Sequence, residues 1–207
     1  MKNLFFLLLL AITLTTGFSP VAEAKYASIV VNESTGEVMY SRNADKKLYP
    51  ASLTNIMTLY MVFEALDQGK IHMDTKMRVS NLAASRSPSK LGLRPGSHIT
   101  VKNAIYALIT KSANDVATVI SEHLASTERE FAKKMTRKAQ AIGMSQTTFR
   151  NASGLPHSKQ KSTARDMAKL AVAIRNDFPH YFQLFKTKSF EYNGRRYKNH
   201  NTLLSSY

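Results

Sequence analysis

The chain has 207 residues, enough for one or two domains with a sizeable core. It carries 29 Lys and Arg against 14 Asp and Glu, a net charge of +15, which favours anionic partners such as nucleic acid, acidic lipid or a charged cell wall. There is no cysteine, so disulfides, thiolate metal sites and cysteine nucleophiles are excluded.

Lys2 gives a short positive start, Leu4 to Thr13 an apolar run, and Ala22-Glu23-Ala24 a small-x-small cleavage site. This is the pattern of a secretory leader over residues 1–24, with the mature chain starting at Lys25 and an exported location expected, in the periplasm or cell envelope. The apolar run is too short to cross a bilayer, and no later segment could span one.

Ala27 to Val31 and Glu37 to Tyr40, separated by a turn-rich segment, predict a β-hairpin. Residues 46–50 read as a linker, with Pro50 fixing the approach to Ser52. From Ser52 to about Gln68 the apolar residues cover most of a helical circumference, which predicts a helix buried at the domain centre and closed by Gly69. Residues 80–97 read as loop. Thr100 caps a helix near 101–109, and the break at Ser112 to Asn114 joins it to another. Thr127 with Glu130, and Thr163 with Asp166, are capping boxes for two further helices, ending near Gly143 and Arg175. Asn193-Gly194 marks a type I′ hairpin within residues 190–198.

The chemistry sits in two places. Ser52 opens the central helix, and Asn55 lies three residues on, on the same helix face. A lysine at 55 could take the Ser52 proton, whereas an asparagine amide cannot. Asn55 is expected to be interior and so to need partners. The second place is Ser112-Ala113-Asn114. Either triplet alone is weak, since a serine at a helix start is usually an N-cap.

Five stretches carry more: Tyr49-Pro-Ala-Ser-Leu-Thr, Ser89-Lys-Leu-Gly-Leu-Arg-Pro-Gly96, Thr110-Lys-Ser-Ala-Asn-Asp-Val-Ala117, Phe149-Arg-Asn-Ala-Ser-Gly-Leu-Pro156 and Thr163-Ala-Arg-Asp-Met-Ala168. In this order the chain resembles the penicillin-binding D-alanyl-D-alanine carboxypeptidases, serine enzymes that trim peptidoglycan stem peptides. The resemblance implies an α/β (α+β) fold of the β-lactamase/transpeptidase type, a helical block beside an antiparallel sheet. It implies Ser52 as the acylating nucleophile, Ser112 as the proton relay to the leaving amine, and Asn114 as a substrate hydrogen-bonding residue. It also implies stem peptides as substrate and β-lactams as acylating ligands, with no cofactor and no metal.

Two departures stand out. Asn55 holds the position of the family's general base. The Lys-Thr-Gly strand follows, in the family, the segment resembling residues 199–204. The expectation is therefore a carboxypeptidase domain over 25–207 that ends before that strand, with an incomplete sheet and turnover impaired or absent. A chain that at most binds cell-wall peptides is the alternative. A nucleic-acid binder is disfavoured by the leader and by the lack of interleaved aromatic and basic residues. The six histidines show no metal-ligand spacing. A β-lactamase would share the first two motifs but not the longer stretches.

Overall fold

The computed structural model describes residues 26–32 and 34–206. The expected leader at residues 1–24 lies outside them. Strands β1 (Ser28–Val31) and β2 (Val38–Arg42) pair antiparallel, Ser28 opposite Arg42, with a bulge at Val30/Val31. Asn32 builds the turn by accepting from the Ser34 and Thr35 amides, an Asx turn. The ribbon stands out from the body: Val30, Val38, Met39 and Tyr40 are all exposed.

Past the hairpin the chain is not a free linker. Leu48 and Ser162 exchange both backbone hydrogen bonds, at 2.8 and 2.9 Å. Isolated bridges of this kind carry no local pattern, because each partner lies far off in sequence. A 3-10 turn over Ala51–Leu53 then leads into α1 (Thr54–Asp67). No glycine or proline interrupts α1, and Met57, Leu59, Val62 and Phe63 are at most 1% exposed. Burial on nearly all sides is what an apolar circumference requires, and Gly69, at φ +64°, turns the chain out of the helix.

Helices α3 (Val101–Lys111), α4 (Asn114–Ala125), α5 (Glu128–Ala141) and α6 (Ala164–Asp177) pack around α1. Thr100, Thr127 and Thr163 each accept from the amide three residues on, as their spacing predicts. Tyr60 of α1 donates to Asp177 at the end of α6, at 2.6 Å. Burial, and then that acceptor, push the Tyr60 hydroxyl well above its ordinary value.

Three features were not legible. Strands β3 (Lys76–Arg78) and β4 (His98–Thr100) pair antiparallel; each has three residues and they are joined by a long loop, so no hairpin signal exists. Residues 80–97 contain α2 (Asn81–Ala84), capped by Ser80. After α6, α7 (Pro179–Phe182) and a 3-10 turn to Lys186 lay aromatics on α1, with Tyr181 stacked on Phe63 at 5.0 Å. Strands β5 (Ser189–Tyr192) and β6 (Arg195–Lys198) form the expected second hairpin. Its Asn193 and Gly194 both have positive φ, +49° and +72°, as a type I′ turn demands. A short α8 spans Leu203–Ser206.

The strands among the described residues thus form three separate antiparallel pairs beside a helical block, the mixed architecture expected. Between β1 and α6 runs a largely apolar groove of about 730 Å³, reaching Leu53 and Ile56. No described helix is long and apolar enough to cross a membrane.

Candidate active site

Ser52 lies exposed in the 3-10 turn that feeds α1. The residue before it, Ala51, sits at φ +46°, a conformation a side chain rarely adopts without enforcement. The enforcing element is the loop 151–156. A Cβ on Gly154 would fall 1.9 Å from the Ala51 carbonyl oxygen and 3.1 Å from the Ser52 nitrogen. Only glycine allows the two backbones to lie so close, and its φ of +93° also suits glycine alone. Thr58, a turn and a half along α1, ties the same loop by donating to the Ala152 carbonyl at 2.6 Å. Asn151 folds the loop, accepting from Gly154 at 2.7 Å and donating to the Leu155 carbonyl at 2.8 Å.

Ser112 and Asn114 frame the connection between α3 and α4. Ser112 ends α3 in the left-handed region, φ 52° and ψ 47°, again unusual for a non-glycine residue. Asn114 is 6% exposed, and its amide nitrogen donates to the Ser87 carbonyl at 2.9 Å. Its backbone N–H reaches the Ser89 carbonyl at 2.8 Å, while the Ser89 hydroxyl donates to the Lys111 carbonyl at 2.8 Å. The 85–97 loop is therefore stitched to the helix connection from both sides.

Asp115 completes that stitching. It is fully buried, and its carboxylate accepts from the amides of Leu91, Gly92, Leu93 and Val116, at 2.8–3.1 Å. Four N–H donors stand in for hydration, which lets a charge sit in the interior. Arg86 in the same loop pairs with Glu128, and Glu128 accepts from the Ala152 amide at 3.1 Å. This joins the 85–97 loop to the 151–156 loop. Sequence reasoning missed Asp115, Gly154 and Glu128. Asp115 adjoins the Ser112 motif, but an acid in a helix's first turn is ordinarily a solvated partner of the helix dipole.

Asn55 is interior, as expected, at 3% exposed, but the partners expected for it do not exist. Among the described residues neither its amide nitrogen nor its amide oxygen reaches a hydrogen-bond partner, and the Thr54 hydroxyl is likewise unmatched. The Ser52 hydroxyl makes no hydrogen bond to Ser112 or Asn114. Helix α1, into which the Ser52 turn leads, packs directly on α3 and α4, whose connection carries Ser112 and Asn114. Among the described residues no group of three or more His, Asp or Glu could hold a metal ion.

A serine on a strained turn at the head of a central helix, flanked by a helical block and antiparallel strand pairs, defines a transpeptidase-like fold. The solved penicillin-binding protein 5 of Haemophilus influenzae superposes with a TM-score of 0.84 at 31% identity, covering 87% of this chain and 53% of that one. The chain belongs to the peptidase S11, D-alanyl-D-alanine carboxypeptidase, family, whose model matches residues 15–207. The D-alanyl-D-alanine carboxypeptidase DacF of Bacillus subtilis is 39% identical over 187 residues, 84% of this chain and 48% of the relative. The ampicillin-bound penicillin-binding protein D2 of Listeria monocytogenes matches with a TM-score of 0.73 at 29% identity, covering 87% of this chain and 74% of that one. The chain spans about half the length of the curated relatives it matches.

Proposed function

We infer that the chain carries the acylation half of a serine D-Ala-D-Ala carboxypeptidase acting on peptidoglycan stem peptides, with acylation slowed at Ser52. The observation that carries this reading is the Ser52 turn: an exposed serine, strained at Ala51 and clamped by Gly154, at the head of the central helix. Ser52 Oγ attacks the carbonyl of the penultimate D-alanine. The C–N bond breaks, the terminal D-alanine leaves after its amine gains a proton, and water hydrolyses the ester to regenerate Ser52. Ser112 relays the proton to the leaving amine, and Asn114, held by Ser87, hydrogen-bonds the substrate backbone. Gly154 holds the Ala51 carbonyl and the turn before Ser52 in place, which fixes where the Ser52 amide points.

Asn55 sets the rate. An amide cannot take the Ser52 proton, and loss of a general base lowers rates by about 10²- to 10⁴-fold. The chain then binds stem peptides and β-lactams better than it turns them over. Support for β-lactam recognition comes from the ampicillin-bound relative. The leader pattern supports export, with residues 1–24 removed and 25–207 forming the carboxypeptidase-family domain in the periplasm or cell envelope.

The test is D-alanine release from a pentapeptide ending in D-Ala-D-Ala, with the Bacillus subtilis relative measured alongside. Release that is slow and abolished by Ser52→Ala is expected. Release as fast as the relative's overturns the role given to Asn55. Release that survives Ser52→Ala overturns Ser52 as nucleophile.

A further inference from the structure

The charge of +15 is not spread evenly. Helix α5 alone holds Arg129, Lys133, Lys134, Arg137 and Lys138. Arg129, Lys133 and Arg137 follow one another at i, i+4 and i+8, and Lys134 and Lys138 make a second like-charged pair at the same spacing. Like charges four apart weaken a helix, so folding gives no reason for this arrangement. The helix's own acids do not offset it. Glu128 is committed to Arg86 and the Ala152 amide. Glu130 pairs with Lys133 at 2.7 Å, and its carboxyl is held below the ordinary carboxylate value by that hydrogen bond, with Arg129 and Arg137 adding to it. Lys138 pairs with Glu64 of α1, whereas among the described residues Arg129, Lys134 and Arg137 face no carboxylate within ion-pair distance.

Two grooves flank this ridge. One, of about 470 Å³, lies between α5 and the 150–160 loop, and Arg129, Lys133, Arg150, His157 and Lys159 line it over a floor of Phe149 and Ala132. No acid lines it. The other, of about 420 Å³, is bordered by Lys70, Lys134, Arg137 and Lys138, with Glu64 its one carboxylate. Successive cations along α5 rise by about 6 Å per four residues. A row at that interval on a ridge, with cationic grooves on both sides, suits a repeating anion better than a single one. Guanidinium groups on the ridge and on the far wall suit phosphate oxygens, which they grip bidentately.

We propose that the α5 face, from Arg129 to Arg137 together with Arg150 and Lys159, is a docking site for a linear polyanion of repeating phosphate groups. The site is distinct from the Ser52 turn and would hold a chain carrying it against a phosphate-bearing polymer whether or not Ser52 turns over.

The test uses inorganic polyphosphate as the probe, with binding to the purified chain followed across a salt series. The variant Arg129→Gln/Lys133→Gln/Arg150→Gln/Lys159→Gln is set against Lys76→Gln/Arg78→Gln/Lys188→Gln/Lys198→Gln, which removes equal charge from exposed positions elsewhere. Glutamine keeps helix propensity close to that of Lys and Arg. The first variant is expected to bind about tenfold or more weakly, with the slope of log affinity against log salt smaller by about 3. The control should stay near the parent. If the fourfold variant fails to fold, Arg150→Gln/Lys159→Gln should show about half the change in slope. Equal losses in both variants, no polyphosphate binding at all, or binding only to phosphatidylglycerol vesicles would overturn the proposal.

Discussion

Asp115 and Asn55 hold the same station on two helices. Each is the second residue of its helix, three places after a motif serine, and each is buried. Asp115 accepts four amide hydrogen bonds and anchors the 85–97 loop, while the Asn55 side chain finds no partner among the described residues. A charge with complete partners stabilises the frame of the site, whereas a neutral amide with none subtracts from it. The 85–97 loop is therefore fully anchored while the Asn55 amide near the Ser52 turn is unmatched. That difference can be attacked from both sides.

The largest effect is expected from Asp115→Ala. It strips the acceptor from three loop amides, those of buried Leu91 and Leu93 and of Gly92 between them, and stability to urea should fall by about 3–5 kcal/mol. A loss below about 1 kcal/mol would mean the loop is held by other contacts. Gly154→Ala comes next. The added methyl collides with the Ala51 carbonyl, so the turn or the loop must move, at about 2–4 kcal/mol. Covalent labelling of Ser52 should slow as well, which a purely structural defect remote from Ser52 would not bring about.

Asn55→Leu should act in the opposite direction. Replacing an unmatched buried amide with a similar apolar volume is expected to raise stability by about 1–2 kcal/mol. A comparable loss would show that Asn55 is satisfied in solution and would erase the contrast with Asp115. The smallest effect belongs to an exposed pair. Arg165 grips Asp45 at 2.7 and 3.0 Å and holds its carboxyl below the ordinary 3.8. A depressed carboxylate adds stability above its unfolded value and loses it as pH falls through the folded one. Parent and Asp45→Asn should thus differ slightly at neutral pH and converge below the ordinary carboxylate range, read as thermal midpoints across pH.

The parts of this contrast were unequally legible in the sequence. Helices with a full apolar circumference or a threonine cap could be placed to within a few residues, because α1 and α5 carry their own signals. The strands β3 and β4 and the Leu48–Ser162 bridge could not, since both depend on contacts between distant segments. Ser52, Ser112 and Asn114 were singled out through motif order. Asp115 and Gly154 lay inside the same stretches unseen, because burial gives the acid its role and the Ala51 carbonyl gives the glycine its own. That Asn55 is interior followed from the helix pattern, but its lack of partners is a fact of packing that no spacing encodes.

The most direct measurement is the rate at which a fluorescent penicillin labels Ser52, followed by intact mass and peptide mapping beside the Bacillus subtilis relative. On the proposed reading of Ser52 and Asn55, labelling should map to Ser52 and run about 10²- to 10⁴-fold slower than in the relative. Prompt stoichiometric labelling would contradict the account.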